Sequence, residues 1–194
     1  MNKRASVGAL LGATILATTA TVTPAAAAGN LISNGTFSQP IAPAGGYVEF
    51  DDGESIGAWQ VSASSPQGGV TLYSRALTQY TYQAVDIGPG TLSQDFEADR
   101  GSVVDVTWKH SRNTDPACAR TMGDQSYSAQ VIFPTGDPLG DSYTPNGPRF
   151  ASVNRSLTFL ALADHFTLEF TGRAPDGCGP LITDVVAKVI RQFD

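Results

Sequence analysis

The fold is decided by the stretch Cys178-Gly179-Pro180-Leu181-Ile182-Thr183-Asp184-Val185-Val186-Ala187-Lys188-Val189-Ile190. It begins with a cysteine in a Gly-Pro turn and continues into an alternating run rich in β-branched residues, which favours a strand. The printed sequence ends soon after it. We therefore expect a last strand that pairs inside a sheet built by the preceding residues.

The other strand-like runs are short and are separated by clusters of Gly, Pro, Asn and Asp. Ser102–Ser111 is the clearest, because apolar Val104, Val106 and Trp108 alternate with polar residues, as in a strand with one buried face. No run has the periodicity of an amphipathic helix. The pattern predicts an all-β fold, a two-sheet antiparallel β-sandwich, from about ten strands. Besides the opening stretch, they are expected at residues 30–37, 59–61, 69–73, 80–87, 91–96, 102–111, 127–131, 150–153, 157–162 and 166–170.

Residues 1–28 have the pattern of a secretory signal peptide. Two basic residues precede the apolar run Val7–Ala17, and Ala26-Ala27-Ala28 gives a small-residue cleavage pattern. The alternative, a membrane anchor, would need a longer and more apolar run. We therefore expect a secreted protein without membrane insertion, in which residues 29–194 form a single β-sandwich domain.

The charge of the chain excludes two classes of partner. The whole sequence carries a net charge of −6, and removal of the signal peptide with Lys3 and Arg4 would leave 10 basic and 18 acidic side chains, a net charge of −8. Nucleic acids and anionic membrane surfaces are bound through basic patches. Neither is therefore expected as a partner.

The chain contains two cysteines, Cys118 and Cys178. An even number of cysteines in an exported protein indicates a disulfide. The bridge would close a loop of about 60 residues and would stabilise the fold by roughly 3–4 kcal/mol. A redox pair or a metal site is the alternative, but there is no Cys-x-x-Cys motif and no histidine at ligand spacing from either cysteine.

Several motifs occur in the order found in a known family. Asn30-Leu31-Ile32-Ser33-Asn34-Gly35-Thr36-Phe37 is similar to the Asn-Leu-x-x-Asn-Gly-x-Phe start of galactose-binding-like domains. Ala84-Val85-Asp86-Ile87, Leu92-Ser93-Gln94-Asp95-Phe96 and the Cys-Gly-Pro ending follow. Together they resemble the secreted cell-wall family called domain of unknown function 642 and its bacterial relatives labelled choice-of-anchor C. The resemblance spans nearly all of residues 29–194. It implies a jelly-roll sandwich, an extracellular location, association with wall polysaccharide and no established catalysis.

The resemblance also bears on calcium, which related carbohydrate-binding modules often hold with acidic residues near both ends of the domain. The corresponding positions are Thr36, Ser38 and Thr183, so that Asp184 is left as the one carboxylate. Calcium prefers six or more oxygen ligands, usually with several carboxylates. We therefore predict no cofactor, and a calcium ion held partly by backbone carbonyls is the alternative.

Catalytic motifs are missing from the sequence. His110 and His165 have no metal-binding spacing, and there is no Gly-x-Ser-x-Gly elbow. Carboxylate pairs such as Asp51/Asp52 lie in loop-like segments, where solvated charge is the simpler interpretation. A glycosidase needs two carboxyl groups at a set separation across a cleft, which sequence spacing does not establish. We predict no catalytic residues.

A sugar-binding site has more support. Sugars are held by an aromatic side chain against the apolar face of the ring and by polar groups at the hydroxyls. Trp59 and Trp108 are expected in the core, whereas Tyr80 and Tyr82 follow a polar loop and are the rings expected to be exposed. The predicted ligand-binding residues are Tyr80, Tyr82, Lys109, Arg112, Asn113 and Gln130.

Two of these residues, Lys109 and Gln130, lie on the polar faces of their strands. If the two strands are neighbours, both side chains would line one groove together with Thr107 and Ser128. The position of these residues in the folded chain therefore tests whether a single site exists.

The leading hypothesis is a secreted, non-catalytic module that binds cell-wall or extracellular polysaccharide. The second is a structural or adhesive surface protein with a protein partner, which predicts an exposed apolar patch. The third is a glycan-active enzyme on the same scaffold, which requires a cleft where His110 or His165 faces a carboxylate.

Overall fold

The computed structural model describes residues 29–63, 69–118, 125–146, 150–174 and 177–193, so the expected signal peptide lies outside the described residues. Within these ranges the chain forms twelve strands and no α-helix, and therefore no helix long and apolar enough to cross a membrane. The strands are β1 (Tyr47–Phe50), β2 (Ser55–Ile56), β3 (Trp59–Ala63), β4 (Val70–Tyr73), β5 (Ala84–Asp86), β6 (Gly90–Glu97), β7 (Ser102–Ser111), β8 (Tyr127–Ile132), β9 (Leu139–Tyr143), β10 (Val153–Leu160), β11 (His165–Gly172) and β12 (Leu181–Gln192).

The strands form two six-stranded antiparallel sheets. Sheet A has the order β1-β4-β5-β12-β7-β10, and sheet B has the order β2-β3-β6-β11-β8-β9. This confirms the predicted all-β sandwich. β12, which contains most of the opening stretch of the sequence analysis, lies between β5 and β7. It therefore joins parts of sheet A that are distant in the sequence.

The core between the sheets follows from the alternation of side chains along each strand. In β7 every second residue from Ser102 to His110 is buried, and β8 shows the same alternation. Trp59 and Trp108 are almost fully buried, as predicted, and both rings contact Phe170, at 6.0 and 5.5 Å between ring centroids. Burial of one such side chain stabilises the fold by about 1.5–3 kcal/mol.

The first predicted strand, residues 30–37, is wrong. The segment consists of bends and turns, and Asn34 and Phe37 have positive φ angles of 52°. A left-handed backbone conformation interrupts a strand. The segment instead forms turns that pack Ile32 and Phe37 into the core of the sandwich.

The same segment is bound to an irregular part of β12. The pairing of β12 with β7 shifts register between Thr183 and Val186, and Asp184 has a φ of 57°. Asn30 fills the gap, because its Nδ2 donates to the Val185 carbonyl at 3.1 Å and its Oδ1 accepts from the Ala187 N–H at 2.8 Å. A β-bulge leaves ladder groups unpaired, and the Asn30 amide satisfies two of them.

Other differences concern weak or peripheral strands. No strand is predicted in the segments that form β1, β2 and β9, and the strand predicted at residues 80–87 is reduced to β5. The strands predicted at residues 150–153 and 157–162 are replaced by one strand, β10. β1, β2 and β9 are three of the four edge strands, each paired with a single neighbour, and β10 is the fourth. Edge strands bury little of either face, and β9 is exposed over most of its length. The sequences of β1, β2 and β9 consequently lack the alternation that marks a half-buried strand.

Two loops at the end of sheet A are joined covalently. Cys118 and Cys178 form a disulfide with their Cα atoms 5.3 Å apart, which confirms the prediction. The bridge connects the loop after β7 to the loop before β12. It thus links segments on either side of the β8–β11 part of the chain.

A buried carboxylate supports the same loops. Asp86 Oδ1 accepts hydrogen bonds from the backbone N–H groups of Gly88 and Gly179, each at 2.7 Å, and Oδ2 accepts from Asn113 Nδ2 at 2.6 Å. The backbone of Asn113 also pairs with the Gln125 side chain in both directions, at 2.7 and 3.0 Å. Asn113 is therefore part of a buried scaffold around the disulfide.

Candidate functional site

A cleft lies where the loops before β1 and between β4 and β5 meet β7 and β12. It consists of two adjoining pockets of about 500 and 180 Å³, which share Thr81 and Tyr82. Segments 36–44 and 74–83 line the larger pocket. We call the two pockets together the loop cleft.

The aromatic residues of the loop cleft have different roles. Tyr82 is 46% exposed and lies at the boundary of the two pockets, so its ring is accessible. Tyr80 packs edge-to-face on Phe150 with 4.9 Å between ring centroids, and burial raises the pKa of its phenol. The prediction of an exposed ring is thus met by Tyr82, whereas Tyr80 is a half-buried wall of the smaller pocket.

The larger pocket combines apolar surface with hydroxyl groups and one cation. Ile41, Ala76 and Tyr82 contribute apolar surface to the lining, and Ile41 is strongly exposed. The Ser74 hydroxyl is buried in the wall and has no hydrogen-bond partner among the described residues. Arg75 follows it and is exposed. The mixture of apolar surface and hydroxyl groups suits a ligand with both apolar and polar faces.

One wall of the cleft is fixed by the side chain of Gln83. Its Nε2 donates to the carbonyl oxygens of Phe37 and of Pro40, the latter at 2.9 Å, and its Oε1 accepts from the Ala42 N–H at 2.7 Å. The Thr183 hydroxyl donates to the Gln83 carbonyl at 2.7 Å. These hydrogen bonds connect the loop before β1 to β12. They occupy both the Nε2 and the Oε1 atom of the Gln83 amide.

An ion pair forms part of the smaller pocket. Lys109 Nζ lies 2.7 Å from Asp184 Oδ2, and both side chains are partly exposed. Such pairs contribute about 0–1 kcal/mol. Asp184 is the carboxylate considered above for calcium, and here it balances the charge of Lys109. In the part of the chain that the structure describes, no group of three or more His, Cys, Asp or Glu residues could hold a metal ion.

The groove expected between Lys109 and Gln130 does not form, because β7 belongs to sheet A and β8 to sheet B. Gln130 instead lies on the outer face of sheet B, where its Nε2 donates to Glu169 Oε1 at 2.7 Å. The outward positions of the described strands of sheet B carry no Phe, Tyr or Trp. That face therefore lacks an aromatic platform.

The six predicted ligand-binding residues thus divide into two groups. The loop cleft brings together Tyr80, Tyr82 and Lys109. Arg112 follows β7, is half-buried and lines neither pocket, and the side chain of Asn113 is 2% exposed. Arg112, Asn113 and Gln130 therefore lie outside the cleft.

Of the residues that line the larger pocket, only Tyr82 was predicted to bind a ligand, and the others include Ile41, Ser74 and Arg75. Ile41 stands between Pro40 and Pro43 in a loop, and an apolar side chain in such a loop has no strand face to bury it. That is the one signal in the sequence that could have indicated an exposed apolar wall. Ser74 and Arg75 have no comparable signal.

His110 belongs to a buried network. Trp108 Nε1 donates a hydrogen bond to the Tyr127 hydroxyl at 2.7 Å. The same hydroxyl lies 2.9 Å from His110 Nδ1. On the other side of the ring, Arg155 Nε donates to His110 Nε2 at 3.1 Å. A guanidinium N–H can only donate, so the neutral ring carries its proton on Nδ1 and donates it to Tyr127. Burial, and secondarily the charge of Arg155, lower the pKa of His110 to about 4. His110 is a neutral structural residue that faces no carboxylate in this network.

His165 does face a carboxylate, but in an open position. Its Nδ1 lies 3.3 Å from Glu97 Oε1 across strands β11 and β6, and both side chains are about three-quarters exposed. A shallow pocket of about 390 Å³ beside His165 is also lined by Asp95, whose carboxylate accepts a hydrogen bond from Thr167 at 2.6 Å. Catalytic acids and bases usually depend on burial or a held partner to set their pKa. The pair resembles an ordinary cross-strand contact.

Comparison with known proteins gives no family model and no curated sequence that matches the chain. Among solved structures, the carbohydrate-binding module TmCBM61 in complex with β-1,4-galactotriose is similar, with a TM-score of 0.51 and 16% identity over 82% of this chain and 98% of that chain. An arabinose-bound GH51 α-L-arabinofuranosidase has a TM-score of 0.51 and 10% identity over 82% of this chain. The enzymatically active domain of bacteriophage CBA120 tailspike protein 4 has a TM-score of 0.50 and 15% identity over 83% of this chain.

This chain spans 26% of the arabinofuranosidase chain and 21% of the tailspike chain, but nearly all of the carbohydrate-binding module. At these identities the similarity shows the fold alone, a β-sandwich of the kind found in carbohydrate-binding modules. The resemblance to the domain of unknown function 642 stays a prediction.

Proposed function

We propose that this protein is a secreted, non-catalytic carbohydrate-binding module that binds cell-wall or extracellular polysaccharide in the loop cleft. The observation that carries the proposal is the accessible ring of Tyr82 at the boundary of two pockets. No other Tyr, Phe or Trp that is more than one-third exposed among the described residues lines either pocket.

The chemistry of the cleft matches that of a sugar ring. One face of a pyranose is a patch of C–H groups, which packs well on an aromatic face, and its edge carries hydroxyls that need hydrogen-bond partners. Tyr82 and Ile41 supply apolar surface, and Ser38 and Thr81 supply hydroxyl groups in the same pocket. Gln83 is excluded from this role because its amide holds the loop.

The wider context supports the same function. The sandwich is similar to a module solved with a galactotriose. The disulfide and the signal-like residues 1–28 fit an exported protein. The exposed position of the His165–Glu97 pair supports a non-catalytic role.

The test is binding to a broad panel of plant, bacterial and animal polysaccharides by affinity electrophoresis, followed by calorimetry on the best oligosaccharide. Replacement Tyr82→Ala should weaken binding by about 1–2 kcal/mol, roughly five- to thirty-fold, because stacking and apolar contact are lost. Tyr47→Ala is the matched control, since Tyr47 is similarly exposed but lines neither pocket.

Circular dichroism and the fluorescence of the buried tryptophans establish that each variant is folded. Retention of the wild type on none of the polysaccharides would refute the proposal. Equal affinities of the Tyr82→Ala and wild-type proteins would remove the loop cleft as the site.

A second function is favoured by exposed apolar residues elsewhere on the molecule, which we call the apolar patch: Leu160, Leu162, Ile190 and Phe193. At the start of β7, Gly101 accepts a backbone hydrogen bond from Phe193 and donates one to Ala161, which brings the ends of β10 and β12 together. Contiguous exposed apolar residues often mark a protein-binding surface. A structural or adhesive role would use this patch, and self-association in sedimentation velocity that is lost in Leu160→Ser/Leu162→Ser would support it.

A further inference from the structure

The larger pocket of the loop cleft contains a single charged residue. Its lining consists of aliphatic, aromatic, hydroxyl and amide side chains together with Arg75, and no carboxylate is among them. The protein as a whole is acidic, with a net charge of −6. Within this pocket the charge of Arg75 is therefore not offset by a carboxylate of the lining.

The charge of Arg75 is also unpaired in the part of the chain that the structure describes. The ion pairs there are Lys109 with Asp184 and His165 with Glu97. The cation of the smaller pocket is thus balanced by its own carboxylate, whereas Arg75 has none. The two pockets differ accordingly in the charge that they offer a ligand.

The surroundings of Arg75 favour a carboxylate as its partner. A guanidinium presents a planar pair of N–H donors that fits a carboxylate in a bidentate manner. Ile41 and Ala76 add apolar surface to the same pocket, which suits the C–H face of a sugar ring that carries such a carboxylate. The buried Ser74 hydroxyl, which lacks a hydrogen-bond partner among the described residues, lies in the same lining.

We propose that the loop cleft is selective for glycans that contain a carboxylated sugar, a uronic acid, with Tyr82 against the ring and Arg75 on the carboxylate. This rests on the proposed function, because it assigns the ligand class of the same site. The acidic surface of the protein disfavours densely sulfated or phosphorylated polymers. A sugar ring with one carboxylate satisfies both Arg75 and the uncharged remainder of the pocket.

The experiment compares matched oligosaccharides that differ only in oxidation at C6, such as galacturonate and galactose oligomers and glucuronate and glucose oligomers. Calorimetry at low and at physiological salt should give at least tenfold tighter binding of the better uronate than of its neutral counterpart. The preference should fall with added salt, since the contact is ionic. Chemical reduction of the carboxylate on the same polymer should abolish it.

The variant Arg75→Gln should lose this preference and bind acidic and neutral oligosaccharides with similar affinities, because the cation that distinguishes them is gone. Arg100→Gln is the matched control, because it removes one positive charge from an exposed position outside both pockets. If Arg100→Gln reduces uronate binding as much as Arg75→Gln does, the selectivity arises from net charge and the inference is overturned.

The Tyr82→Ala variant separates failure of this inference from failure of the proposed function. Tyr82-dependent binding that is equal for acidic and neutral oligosaccharides overturns the uronate selectivity and leaves the sugar-binding function intact. No binding of either class, or binding that Tyr82→Ala does not change, overturns both.

Discussion

Acidification should destabilise this protein through one buried histidine. In the folded state the pKa of His110 is about 4, against 6.5 for an ordinary histidine, because the ring is buried and Arg155 donates to it. On acidification the unfolded chain therefore takes up this proton before the folded chain does. The stability associated with neutral His110 is complete above pH 6.5 and is lost as the pH falls towards 4.

The size of the effect follows from the shift. Each unit of difference between the unfolded and folded pKa corresponds to about 1.4 kcal/mol. A pKa of 6.5 in the unfolded chain and about 4 in the folded protein therefore gives a loss of about 3 kcal/mol in the free energy of unfolding on acidification to pH 4. Protonation would also place a second N–H opposite Arg155 Nε, where the present geometry has a donor and an acceptor 3.1 Å apart. Total stabilities of small domains are about 5–15 kcal/mol, so the loss is large enough to measure.

The assay is urea unfolding followed by the fluorescence of the buried tryptophans, from pH 7.5 to 4. His110→Gln keeps a polar side chain that can accept from Arg155 but cannot titrate. The free energy of unfolding of this variant should depend less on pH than that of the wild type. The difference in unfolding free energy between wild type and variant should change by about 3 kcal/mol between pH 7.5 and 4. His165→Gln is the matched control, because it removes the exposed histidine of a chain that has only two.

If His165→Gln changed the pH profile as much as His110→Gln does, the effect would not be specific to the buried ring. Parallel profiles of wild type and His110→Gln would contradict the assignment of a neutral, buried ring. NMR gives an independent check, because the His110 ring resonances of the folded protein should titrate only below about pH 5. A midpoint near 6.5 would refute the reasoning.

Three further predictions concern stability. Replacement of Cys118 and Cys178 by serine should lower the free energy of unfolding by about 3–4 kcal/mol, measured by urea unfolding against the wild type with its disulfide intact. Asp86→Asn should cost about 1–3 kcal/mol in thermal unfolding, because an amide cannot accept at both ends from the three donors around it. Gly35→Ala should reduce the yield of folded protein, since its Cβ would meet the Val185 carbonyl oxygen at 1.9 Å, whereas Gly46→Ala, with contacts of 3.4 Å or more, should be tolerated.

The sequence analysis predicted best where one strand face is buried and the other is not. The predicted bounds of Ser102–Ser111 agree with β7, because Val104, Val106 and Trp108 all face the core. The alternation shows which residues face inwards, but not to which of the two sheets a strand belongs. Lys109 and Gln130 accordingly lie on the polar faces of their strands, as predicted, but the two strands belong to different sheets, so the condition for a common groove is not met.

The candidate site was predictable only in part for a related reason. Tyr82, Ile41 and Lys109 are distant in the sequence and come together through two loops and the end of β7. Loop conformation depends on particular contacts, such as those of Gln83, and the periodicity of the sequence does not predict such contacts. The exposure of Tyr82 could be predicted from its polar neighbours, whereas the neighbours of its ring could not.

The clamp formed by Gln83 has a consequence for how fast and how strongly the cleft could bind. Ordering a loop on association costs about 1–2 kcal/mol for each residue fixed. Segment 37–42 is already held by three hydrogen bonds from one amide, and Thr183 ties that residue to β12. The conformational entropy of this loop is therefore lost during folding and not when a ligand binds. We expect association to be rapid, so that differences in affinity between ligands arise from their dissociation rates. Because the hydrogen bonds of the clamp join uncharged groups, the ordered wall should persist at high salt.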